Sequence, residues 1–296
     1  MNSNDVKIPK IRESIVYNPI SGNSSPNSSP VNKSLQKFIE KKEKLQQGKL
    51  NYRQKNSPTK KIYEINNDGV TIVTSTNRDS HIDNILKNYS RQNNVDKELI
   101  IILNNDHLNL NQWQEKAKKY DNVRIFQLDQ KFTLGKCLNF AVSMSNYKTI
   151  AKFDDDDYYG PKYLEEAVKA FKTTGAKVLG KGSTFVYFMN QKTLAVRTPT
   201  QENRYVNFVN GSTLIFKKDV FDKVKFENMN IAEDVKFCTN CLKNGYKIYS
   251  TSRFNHIYVR YPNKKNHTWK ISDSDFLKRF CKVVATTDDY ISYADQ

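Results

Sequence analysis

The chain has 296 residues and a formal net charge of +17, enough length for one large α/β domain or two small ones. Its hydrophobic fraction of 38% supports a core, yet no run approaches the roughly 18 apolar residues of a membrane span. The opening MNSNDVKIPK lacks the charged-then-apolar order of a secretory leader, and four cysteines without regular spacing point to reduced thiols in a cytoplasmic setting.

The charge is uneven. Residues 1–61 hold 13 Lys and Arg against 4 Asp and Glu (+9), and the remaining 235 residues hold 35 against 27 (+8). Half the excess therefore falls in a polar segment of low complexity, clearest in SGNSSPNSSP (Ser21–Pro30). Within it, Ser34–Gln47 places Leu35, Phe38, Ile39 and Leu45 on a thin helical stripe, suited to a solvated or docking helix. Residues 1–60 are read as a basic, disordered tail and 61–296 as the folded domain. Lysine spread this diffusely gives little ground for nucleic-acid binding.

Val70–Ser75 (VTIVTS) has the β-branched run of a buried strand and ends in Thr76-Asn77-Arg78. Ile82, Ile85, Leu86 and Tyr89 then follow helical spacing, with Asp79 or Ser80 available as N-cap. Glu98–Leu103 is a second buried strand leading into Asn104. A helix near Leu110–Tyr120, the strand Val123–Leu128, and a helix carrying Leu134, Leu138, Ala141 and Val142 come next. The strand at Thr149–Phe153 precedes a helix through Leu164, Ala167, Val168 and Phe171 that ends at Gly175, before the strand Lys177–Leu179. Four strand–helix units in a row predict a mostly parallel sheet covered on both faces.

Beyond Gly180 shorter strands are expected at Thr184–Met189, Thr193–Val196 and Ser212–Phe216, as in a mixed sheet. Glu233–Asn244 is a helix with Val235, Cys238 and Leu242 on one face, closed by Gly245. Two strands, Lys247–Ser250 and His256–Tyr261, precede a final helix through Phe276, Leu277 and Phe280.

The sheet pattern gives meaning to Asp154–Asp157. Four adjacent carboxylates repel one another, and a divalent cation turns that repulsion into affinity; the plainer reading is a solvated acidic turn. Their place at a strand's carboxyl end, where α/β folds form ligand crevices, favours the site. No phosphate loop is present, since Gln130 stands where GxxxxGK needs its first glycine, and Cys137 follows Gly135-Lys136. Cys238-Thr239-Asn240-Cys241 has no second pair for a structural zinc, and its helical placement makes Cys238 a core residue. The histidines never take HExxH spacing.

From Val70 to about Trp269 these residues resemble the inverting glycosyltransferases of family 2, which have the GT-A fold, a Rossmann-like mixed sheet with helices on both faces. The resemblance implies that Thr74, Thr76, Asn77 and Arg78 border the nucleotide. Asn104 stands where the family usually has an Asp that pairs with the base, which loosens the assignment to UDP. Gly135 and Asn139 match the family's Gly and Asn, with Lys136 near a phosphate. Asp154 would contact the ribose or base and Asp156 a Mn²⁺ or Mg²⁺ ion. Asp155 replaces a small residue and is expected to face solvent, while Asp157 is left unassigned. Glu233 would lie on the acceptor side and Asp234 would be the catalytic base; a Glu-Asp pair at a helix start is otherwise a dipole complement. Asn210-Gly211-Ser212 matches a family turn, and His267 would complete the metal site, although its Thr-Trp neighbours also suit packing.

The implied function is metal-dependent transfer of a sugar from a nucleotide-diphosphate sugar, UDP or dTDP type, to an acceptor hydroxyl. A nucleotidyltransferase on a related fold would want a glycine-rich loop after the first strand, which Thr74–Ser80 lacks. A non-catalytic binding protein keeping the fold is the third reading. FDDDDYYGP and the HTW ending are also similar to spore outer-layer glycosyltransferases, which implies association with spore or cell surface layers.

Overall fold

The computed structural model describes residues 69–262 and 271–296, together with the backbone of Arg12–Ile15. The remainder of the expected tail, its Ser34–Gln47 helix and His267 lie outside the described residues.

Fourteen strands form two sheets among the described residues. The larger sheet starts from β1 (Arg12–Ile15), β2 (Val70–Thr76), β3 (Lys97–Leu103), β4 (Val123–Gln127) and β5 (Thr149–Lys152). The strands β4, β3, β2 and β5 are consecutive parallel neighbours, with β1 antiparallel on the β4 edge. Beyond β5 the order continues through β11 (Ile215–Lys217), β7 (Val178–Gly180), β12 (Ile248–Ser250) and β10 (Arg204–Val206). There β11 runs antiparallel to both β5 and β7. The second sheet is ordered β14 (Cys281–Thr286), β9 (Thr193–Arg197), β8 (Thr184–Phe188), β13 (His256–Arg260) and β6 (Tyr158–Tyr159).

Helices cover both faces of the larger sheet because its strands are apolar on both sides. On one face α1 (Ile82–Ser90), α2 (Leu110–Ala117) and α4 (Tyr163–Thr174) bury Ile85, Leu86, Trp113, Leu164 and Phe171 against Ile72, Leu99, Ile101 and Ile125. On the other, α3 (Leu134–Met144) and α5 (Glu233–Lys243) bury Leu138, Val142, Phe237 and Cys238 against Val73, Ile100, Ile102 and Ile150. The last helix, α6 (Asp273–Phe280), packs Phe276 against Phe188 of the second sheet. None of the described helices is long and apolar enough to cross a membrane.

Three local expectations change. Neither Asp79 nor Ser80 caps α1; the Asp79 carboxylate instead accepts a 2.6 Å hydrogen bond from the Trp113 indole. On α5, Val235 and Leu242 are exposed, and the buried stripe is Phe237, Cys238 and Cys241. After α6 the chain forms β14, paired with β9 through a register shift between Val283 and Ala285. The helix closures at Gly175 (φ 65°) and Gly245 (φ 78°) are as expected, since both adopt the left-handed conformation.

Candidate active site

The parallel strands β2, β3 and β5 bring Thr76, Asn104 and the acidic run to one sheet edge. The Asn104 amide N–H donates to Thr76 O at 2.8 Å, and its side-chain amide donates to Asp129 O at 2.9 Å. Asn77 is exposed, and its carbonyl accepts from the Asn105 side chain at 3.0 Å. Thr74 is 1% exposed and its hydroxyl is buried in the sheet. In this conformation Thr74 shows almost no surface to a ligand.

The four aspartates take four environments. Asp154 is partly exposed; its backbone N–H donates to the Tyr159 hydroxyl at 2.7 Å, and its carboxylate pairs with Lys152 at 2.5 Å. Asp155 is 5% exposed, which corrects the expectation that it faces solvent. It accepts from the Thr76 hydroxyl and from both Nε and Nη2 of Arg78. The small-residue position became a buried ion pair because Arg78 can reach it from the turn after β2 with a forked guanidinium. Asp156 takes the remaining reach of Arg78 Nη2 at 3.0 Å. Burial first, then the charges of Asp157 and Asp155, push the Asp156 carboxyl well above the usual range, against the pull of Arg78.

Asp157 is buried. Its Oδ1 accepts from the Val259 amide at 3.1 Å, and Oδ2 lies 3.3 Å from His256 Nε2. Burial and Asp154 push this carboxyl up to about 8. Burial and Lys181 push the His256 imidazole down to about 3, with Nδ1 held 2.7 Å from the Thr184 hydroxyl. The two groups meet inside the fold and tie the acidic run to the second sheet. Asn84 and Asn88 of α1 complete the clamp, donating to the Asp155 and Asp157 carbonyls at 2.8 to 2.9 Å.

The other half of the site is the start of α5. Ala232 enters it in the left-handed conformation (φ 64°), and the first turn carries Glu233 and Asp234. Asp234 Oδ1 accepts its neighbour Val235's amide at 2.8 Å. Its side chain lies against Gly211 of a 3₁₀ turn, Gly211–Thr213, so closely that a Cβ on Gly211 would stand 2.7 Å from Asp234 Cγ. Glu233 is 6% exposed; burial raises its carboxyl to about 7, with Lys152 pulling down and Asp234 pushing up.

Gly135, Lys136 and Asn139 lie on α3. A Cβ on Gly135 would overlap the Glu227 carbonyl, and its N–H donates to Met229 O at 3.1 Å. Both ends of the Asn139 amide bind the Phe226 backbone, at 2.8 and 3.0 Å. Gly135 and Asn139 thus hold the 226–229 segment that leads to Glu233. Lys136 is exposed, with its ammonium 5.3 Å from the Phe132 ring.

Among the described residues no three His, Cys, Asp or Glu side chains converge as a metal cage. Asp156 still fits a hard cation, because magnesium and its relatives often take one or two carboxylates and fill the remaining positions with substrate phosphates and water. The observation favouring it is the excess of carboxylates over cations: Arg78 and Lys152 face four aspartates in a row.

Sequence reasoning missed Lys152 and the ligand-like grip of Arg78 on Asp155. A lysine closing an otherwise apolar strand was the available signal.

The O-antigen biosynthesis glycosyltransferase WbnJ of Escherichia coli is 28% identical over 164 residues, 53% of this chain and 64% of that protein. Among solved structures, S. aureus TarS 1-349 in complex with UDP-GlcNAc superposes with a TM-score of 0.56 at 16% identity, covering 71% of this chain and 64% of that one. S. aureus TarS 1-349 alone gives a TM-score of 0.53 at 17% identity, covering 64% and 60%. Each likeness thus spans less than two thirds of the related chain, and the structural likenesses establish a shared GT-A fold. The model of the family described as glycosyl transferase family 2 matches residues 70–224, more than half of the chain. The chain belongs to glycosyl transferase family 2.

Proposed function

We propose that this glycosyltransferase moves a sugar from a nucleoside-diphosphate sugar, of UDP or dTDP type, to an acceptor hydroxyl by a single displacement with inversion. The observation that carries the reading is the convergence of two carboxylate sets from distant parts of the chain. Asp154 and Asp156 stand at the carboxyl end of β5, and Glu233 and Asp234 open α5 across the Gly211–Thr213 turn. The S. aureus TarS 1-349 structures in complex with UDP-GlcNAc and with UDP support the donor class. The O-antigen relative makes a saccharide hydroxyl the first acceptor to try.

In this reading the ribose and base lie along Asp154, Asn104 and the Thr76–Arg78 turn. Asp156 would hold Mn²⁺ or Mg²⁺, with His267 as its expected second ligand. When bound, the cation neutralises charge on the departing diphosphate as a Lewis acid. Asp234 takes the acceptor's proton as its oxygen forms a bond to the anomeric carbon. The bond between that carbon and the phosphate oxygen breaks, and the nucleoside diphosphate leaves with the electron pair. Attack opposite the leaving group inverts the anomeric centre, so one base suffices. Gly211 leaves room for the Asp234 side chain, and the α5 N-terminus favours its negative charge.

A thermal-shift panel of nucleoside diphosphates and their sugars, with and without Mn²⁺, tests the donor assignment. A ligand of the folded state raises the midpoint. One uridine or thymidine sugar should do so only with metal, and Asp156→Ala should abolish the shift. No response to any member, or a full response in Asp156→Ala, would overturn the assignment.

A further inference from the structure

The last residue of β5, Lys152, is 3% exposed. An apolar side chain would serve this core position at lower cost, because a buried cation persists only where carboxylates outweigh its desolvation. Two sets of carboxylates do so here. Asp154 lies 2.5 Å from its ammonium on the donor side, and Glu233 and Asp234 act on it from the start of α5. Burial works against the charge, yet these three acids hold the ammonium above the ordinary lysine range. The backbone joins the same parts. The Lys152 N–H donates to Leu214 O at 2.9 Å, and Gly211, three residues earlier, is the residue against which Asp234 lies.

We propose that Lys152 is a positioning residue that couples the donor and acceptor halves of the site, fixing the Asp154 carboxylate while supplying the counter-charge for Glu233 and Asp234. The groups around Lys152 are Asp154, Asp157, Glu233, Asp234 and His256. Those acting on Glu233 are Lys152, Asp234 and Asp154, and Arg197 of β9 is a further cation near Asp234. Without Lys152, only a backbone hydrogen bond is left to oppose burial and the two aspartates at Glu233. Glu233 then gains its charge only at higher pH, and Asp154 loses the contact that orients it toward the nucleotide.

The kinetic consequence rests on the proposed glycosyl transfer; the electrostatic coupling does not. The test is a carbon-13 NMR titration of the full chain labelled at glutamate carboxyls, with the Glu233 signal assigned by its loss in Glu233→Gln. The wild-type midpoint is expected near 7. Lys152→Arg should keep it, and Lys152→Met should raise it by roughly one pH unit. Asp154→Asn removes a neighbouring negative charge and should lower it, which keeps the proposal testable if Lys152→Met fails to fold. In turnover assays, Lys152→Met should raise the donor KM. A Glu233 midpoint that stays in place in Lys152→Met, or that fails to fall in Asp154→Asn, overturns the proposal. A chain that turns over no nucleotide sugar would refute the proposed function while leaving this titration readable.

Discussion

Gly211→Ala is the most economical probe of the acceptor side, because it alters the site without touching an acidic group. The added methyl would overlap Asp234 Oδ2 and stand 2.7 Å from its Cγ and 2.8 Å from its Cβ, where ordinary van der Waals contact begins at 3.4 Å. Asp234 must therefore retreat by about 1 Å or more, or swing its carboxylate aside. Gly211 does not use a left-handed conformation, so alanine is compatible with the turn and recovers some backbone entropy, about 0.4–1 kcal/mol. The cost thus falls on position more than on stability. A 1 Å displacement of a proton acceptor lowers turnover by on the order of 100-fold. The assay is steady-state transfer at saturating donor, beside calorimetric titration with the nucleoside diphosphate and a thermal melt. Donor affinity should stay within about twofold and the melting midpoint within a few degrees, while kcat falls. In an Asp234→Asn background the same substitution should cost little more, since the two changes strike one group. Transfer within twofold of wild type would refute the placement of the base against Gly211.

Other perturbations read other parts of the structure. Arg78→Leu strands the buried Asp155 carboxylate and should destabilise the fold by about 3 kcal/mol in chemical denaturation; Arg78→Leu with Asp155→Asn should recover much of the loss, and no recovery would discount the pair. Gly135→Ala drives a methyl into the Glu227 carbonyl, so stability should drop by about 1–3 kcal/mol together with kcat; a neutral result would mean the 226–229 segment yields freely. The Glu233 carboxyl, raised from 4.5 to about 7 by burial, keeps its proton in the folded state over a range where the unfolded chain has lost it. Stability attributable to this group is therefore greatest at low pH and declines as pH rises from about 4.5 to 7. Glu233→Gln mimics the protonated form and should match wild type near pH 4, then exceed it by roughly 2–3 kcal/mol at pH 8. Denaturation curves that keep a constant gap across that range would contradict the burial argument.

The parallel core was legible because its signals are local. VTIVTS, ELIIIL and the helical spacing of Ile82, Ile85, Leu86 and Tyr89 each declare an element without reference to the rest of the chain, and the structure places all three close to the expected bounds. The acidic run stands out for a similar reason, since no packing demand visible in the sequence explains four adjacent carboxylates. What each carboxylate does was not legible. Asp155 is buried only because Arg78 and Thr76, nearly eighty residues earlier, converge on it. The burial of Thr74 in its strand and the backbone partners of Asn139 likewise lie in tertiary structure, which the family resemblance did not disclose. On α5 the apolar residues Val235 and Leu242 outweighed Phe237 in the periodicity, although the helix turns Phe237 to the core. The strand β14 escaped notice because its side chains are mostly exposed and follow a helix directly.

The central claim is a division of labour, with Asp156 serving the donor and Asp234 serving the acceptor. Calorimetric titration of one nucleotide sugar in the presence of Mn²⁺ into wild type, Asp156→Asn and Asp234→Asn tests it most directly. The account predicts that Asp234→Asn binds the donor as wild type does yet transfers no sugar, whereas Asp156→Asn loses the metal-dependent part of the binding. Undiminished metal-dependent binding in Asp156→Asn, or undiminished transfer in Asp234→Asn, would contradict it.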